Sequence, residues 1–160
     1  MTDTFSSRDE VAAFIALFEA AELPRVRWTH RGHLVAGFWY LSLHPVADAL
    51  GVIRRRIRRH NESVGTVNTD SIGYHETITR LYLAGIAAHR ARHRTLPFEQ
   101  SLQELLASPL AASRWPLTFY SSERLFSVAA RRDWVEPDLQ SLDAELAPHA
   151  AAMLDAEQPA

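Results

Sequence analysis

Apolar residues recur at intervals of three and four along most of this chain, the period of an α-helix with one buried face. Val11, Phe14, Ile15 and Phe18 keep that spacing behind Ser7-Arg8-Asp9-Glu10, where Ser7 fits an N-cap and Glu10 the acid that reaches back in a capping box. Pro24 ends this segment. Thr29 is the expected N-cap of a second helix, about 30–43, whose later turns carry Leu34, Val35, Phe38, Trp39 and Leu41. A helix apolar on nearly all sides is buried on most of them. His44-Pro45 breaks it, and in a third segment Val46, Leu50, Ile53 and Ile57 face inward while five arginines cover the outside.

A polar connection, 61–73, offers Thr69, Asp70 and Ser71 as N-caps for a fourth helix, about 72–93, with Ile78, Leu81, Tyr82, Gly85 and Ile86 on its apolar stripe. Leu96-Pro97 opens a fifth carrying Phe98, Leu102, Leu105 and Leu106, and Ser121 or Ser122 caps a sixth through about 132. The residues from about 140 to 160, rich in Ala and acids, are expected to fray. No stretch alternates convincingly as a strand. The pattern predicts a single-domain, all-α antiparallel bundle of about six helices with its core over about 7–135.

Composition narrows the chemistry. The 160 residues suit one sizeable core. The absence of cysteine removes disulfides, thiolate nucleophiles and cysteine-ligated metals. All 17 basic residues are arginine, so lysine Schiff-base chemistry is excluded; Arg for Lys throughout, with abundant Ala, matches a GC-rich bacterial codon bias. No apolar run has the length of a membrane span, and Met1 to Glu10 is polar and acidic, unlike a signal peptide, so no membrane partner and a cytoplasmic location are expected. A net charge of −2 gives no general pull toward nucleic acid.

Histidine is the notable residue, at eight copies. His30 and His33 share one face at the start of the second helix, an economical way to present two metal ligands. His75 opens the fourth helix in register with Ile78, Thr79 and Tyr82, while Glu76 projects about 100° away. One helix intervenes, so an up-down-up topology returns both N-termini to the same end of the bundle, beside the 61–73 connection as a lid. His30, His33, His75 and Glu76 are therefore the predicted metal set, with Glu76 and His75 as catalytic acid/base candidates. Zinc, iron, manganese and copper all suit such ligands. Without a metal, His75 and Glu76 could still exchange protons near neutrality. Glu76 also fits a helix-dipole charge.

Trp28, Tyr74, Thr79 and Tyr82 are the predicted pocket residues around that set, and a small molecule is the expected ligand. The alternative to a metal-dependent enzyme is a non-enzymatic ligand- or protein-binding module with this His- and aromatic-lined pocket. The isolated His60, His89, His93 and His149 are assigned no role. The run Arg54–Arg59 reads as a solvated helix face in preference to a nucleic-acid grip, because no aromatic stacking residues interleave. Finally, the blocks Trp28-Thr29-His30-Arg31-Gly32-His33-Leu34 and Tyr74-His75-Glu76-Thr77-Ile78-Thr79, with Tyr120 to Trp134 and Pro137-Asp138-Leu139, resemble a family of small uncharacterised bacterial helical proteins. The resemblance spans about 14–142 and implies which blocks matter, with no activity attached.

Overall fold

Ser7 has extended backbone angles and its hydroxyl accepts from the Glu10 amide, so α1 (Arg8–Glu19) starts where the capping pattern places it. The Glu10 carboxylate reaches back further than a capping box requires, accepting from the amides of Thr4, Phe5 and Ser6. The computed structural model describes residues 2–155 and contains eight α-helices and no strand among them. After α1 come α2 (His30–Leu43), α3 (Val46–Ser63), α4 (Glu76–Arg92), α5 (Phe98–Leu106), α6 (Ser122–Leu125), α7 (Val128–Arg132) and α8 (Ala147–Asp155). Among these residues no helix is long and apolar enough to cross a membrane.

One cluster of buried apolar side chains joins α1 through α6 and α8, with Phe14, Phe18, Leu34, Phe38, Leu50 and Leu81 at its centre. α2, α3 and α4 pack on one another. Gly37 lets α2 and α4 approach closely, since a Cβ there would lie 2.7 Å from Ile86 Cδ1.

Three boundaries differ from those expected. α4 begins at Glu76, later than about 72, because Gly73 takes a positive φ of 88° and Asn68 Oδ1 accepts from the Tyr74 amide, holding the chain in a loop. Thr69, Asp70 and Ser71 cap no helix; Thr69 instead closes a turn onto the amides of Ser71 and Ile72. The expected sixth helix is two, because Ser127 is a fresh N-cap whose hydroxyl accepts from the Ala130 amide. The tail expected to fray forms α8 as far as Asp155, packed on α3 and α4 with Leu146, Ala150 and Met153 buried; the rest of that tail, 156–160, lies outside the described residues. The small apolar side chains of this stretch gain burial only by docking on those helices, which local composition does not reveal.

Candidate functional site

The Thr29 hydroxyl accepts from the Gly32 amide, fixing the first turn of α2 and with it His30 and His33. His30 Nε2–H donates to the Leu110 carbonyl at 2.9 Å, and its ring meets Tyr82 edge-on, with centroids 5.1 Å apart. His33 Nδ1–H donates to the Thr29 carbonyl at 2.7 Å, leaving Nε2 as an acceptor in the neutral ring, which lies 3.9 Å from the Trp28 ring centroid. His33 keeps an open face although protein atoms surround it, and that face borders a cavity. Burial pushes its pKa down to about 4, against the Thr29 hydrogen bond and with help from the His30 and His60 charges.

His75 caps α4. Its Nδ1 accepts from the Ile78 amide at 3.2 Å and its Nε2–H donates to the Leu125 carbonyl at 2.7 Å, so both ring nitrogens are engaged. Burial lowers its pKa, the Leu125 carbonyl opposes this, and Arg131 adds to it. Glu76 points elsewhere, as the helical angle requires. It is 3% exposed and lies between two guanidiniums: Arg54 grips both carboxylate oxygens, and Arg80 Nε donates to Oε1 at 2.9 Å. Burial pushes the Glu76 pKa up, but Arg54, the neighbouring Tyr74 hydroxyl and Arg80 together pull it below the usual carboxylate range. Arg80 is 1% exposed and also lies 3.4 Å from Asp133.

These four side chains are thus not brought to one centre. Among the described residues no three of His, Cys, Asp or Glu are arranged to hold a metal ion. The helix cap occupies His75, and the buried ion pairs occupy Glu76. The two helix starts nevertheless meet as the topology requires. His30, His33, Thr79 and Tyr82 line one largely apolar cavity of about 310 Å³. Trp28, His33, Ile57, Ile78 and Thr79 also line an adjoining space of about 400 Å³, bounded further by His60, Asn61, Tyr74 and His75. All four predicted pocket residues, Trp28, Tyr74, Thr79 and Tyr82, lie in these walls, whereas Glu76 lies in neither.

His60 is the residue that sequence reasoning passed over. It is fully buried at the end of α3, and its Nε2–H donates to the Leu23 carbonyl at 2.9 Å. A usable signal existed: His60 extends the Ile53–Ile57 stripe by one more helical turn. Arg54 was also misplaced, since the solvated face it was assigned to turns it onto Glu76.

Three residues of the cavity walls each carry a buried polar atom without a well-formed hydrogen bond within the protein: Trp28 (Nε1), His60 (Nδ1) and Tyr74 (its hydroxyl). The Tyr74 hydroxyl lies beside Glu76 and Thr79, close enough to Glu76 to help hold its carboxylate ionised. Native interiors pair nearly all such groups, so three in one wall are unusual. Compared with known proteins, the chain matches no family model, no curated protein and no solved structure.

Proposed function

We propose that this protein binds a small, mainly apolar molecule bearing a hydrogen-bonding group, in the cavity bounded by α2, α3 and α4. The observation that carries this reading is that three residues lining one cavity, Trp28, His60 and Tyr74, each carry a buried polar atom without a well-formed hydrogen bond within the protein. Its volume, about 400 Å³, falls in the range of small-molecule sites, which combine apolar walls with a few polar groups. Trp28 offers a donor, the neutral His33 ring offers an acceptor, and Tyr74 and His60 Nδ1 offer either. A buried polar group without a partner costs about 1–3 kcal/mol, which a ligand completing the pairs would offset. The cysteine-free composition accords with a cytoplasmic location.

Thermal unfolding with indole, phenol, cyclohexanol and benzene as probes tests the reading. A bound compound raises the Tm with its concentration. The probes with an N–H or O–H are expected to exceed benzene, and Ile78→Trp, which fills the shared wall, abolishes the effect. Equal responses in the parent and Ile78→Trp, or no response to any probe, overturn the reading. Zinc, iron(II), manganese and copper belong in the same assay. A saturable rise lost in both His30→Ala and His33→Ala would favour a metal-dependent function instead.

A further inference from the structure

A separate pocket, of about 220 Å³, lies where the start of α1, the end of α2, the end of α4 and the start of α5 meet. Its polar walls are Arg8, Ser42, Arg90, His93, Arg94 and Ser101. The arginines are held on aromatic faces: the Arg8 guanidinium lies 4.6 Å from the Phe98 ring centroid and 5.3 Å from that of Trp39, and Arg90 lies 4.8 Å from that of Phe38. Such stacking orders a guanidinium and leaves its N–H edge available.

Arg27, Arg54, Arg80, Arg92 and Arg132 pair with carboxylates. Among the described residues Arg8, Arg90 and Arg94 do not, and they share this with other arginines of the chain; what distinguishes them is that they line one pocket. The nearby Glu99 accepts from the Arg8 backbone amide at 3.3 Å, not from its guanidinium. Burial lowers the Arg90 pKa, and the Arg8 charge adds to this to a lesser degree. The dipole of α4 accounts for basic residues in its last turn. It does not account for Arg8, which stands at the start of α1, where the dipole is already positive. α5 also begins at this pocket, at Phe98, with no side-chain cap on its first amides.

We propose that this pocket binds an oxyanion, the phosphate or carboxylate group of a small molecule, between the Arg8 and Arg90 guanidiniums. Planar guanidiniums match both groups through paired charge-assisted hydrogen bonds. The proposal does not depend on the apolar cavity or its ligand.

The test is thermal unfolding at constant ionic strength, exchanging sodium chloride for inorganic phosphate in one series and for sodium acetate in another. A saturable Tm rise above the chloride baseline is expected in at least one series, and the series that responds identifies the group. Arg90→Gln and Arg8→Gln are each expected to weaken the apparent affinity about tenfold, roughly the loss of one charge-assisted hydrogen bond. Arg55→Gln, on the exposed side of α3, leaves it unchanged. Arg90→Lys keeps the charge and serves if Arg90→Gln fails to fold; it is expected to bind measurably but more weakly than the parent. The proposal is overturned if neither anion exceeds chloride, or if the Arg8 and Arg90 variants respond as the parent does.

Discussion

Glu76→Gln separates a structural carboxylate from a reactive one. In the folded protein this side chain pairs with both Arg54 and Arg80, and the two arginines differ in what they can do without it. The Arg54 side chain is 27% exposed and can turn toward water, whereas that of Arg80 is 2% exposed and cannot. Asp133, 3.4 Å from Arg80 and 76% exposed, is a screened substitute. Removing one partner of a buried pair costs about 3–5 kcal/mol. The mobility of Arg54 and the presence of Asp133 place Glu76→Gln near the lower end, about 3 kcal/mol. With a urea slope of about 2 kcal/mol/M, the unfolding midpoint falls by about 1.5 M at unchanged slope. The double variant Glu76→Gln/Arg80→Met regains much of this, because an apolar side chain removes the buried cation. Acid titration gives a second readout. Glu76 has a folded pKa below its unfolded value of 4.5, so its contribution is complete above pH 4.5 and is lost as the pH falls through the lowered value. The variant lacks that component. A loss under about 1 kcal/mol, with the acid limb unchanged, would refute the structural role and return Glu76 to the list of reactive groups.

His33 has a folded pKa of about 4 against an ordinary 6.5, so the folded state keeps the ring neutral and stability is lost as the pH falls from 6.5 toward 4. His33→Leu is expected to flatten the fall of Tm over that interval; an unchanged slope would show that the folded protein does not favour the neutral ring. Gly73→Ala forces a Cβ to within 2.7 Å of the Val67 carbonyl oxygen at a φ of 88°, whereas Gly65→Ala, at a φ of 80°, meets nothing within 4 Å. Chemical denaturation is expected to show a loss of about 1 kcal/mol for Gly65→Ala and about 2–3 kcal/mol for Gly73→Ala; equal losses would show that the loop before α4 yields freely.

Local signals in the chain were enough for the helical class and for most helix starts. Apolar spacing of three and four places α1 through α5, and Ser7, Thr29 and Ser121 cap helices through bonds spanning only three residues. Connectivity alone also brought the starts of α2 and α4 to one end, since a single helix lies between them, and His33 and Thr79 share walls there. What each polar atom is bonded to was decided at long range. His75 finds the Leu125 carbonyl 50 residues away, His30 the Leu110 carbonyl 80 away, and Glu76 meets Arg54 across two helices. Those partners make His75 a helix cap and Glu76 a member of a buried ion pair, and they leave His60 with an unpaired nitrogen. A helical period specifies which face a side chain occupies. Only packing in three dimensions specifies what lies opposite it, and for buried polar groups the opposite partner determines protonation, availability and role.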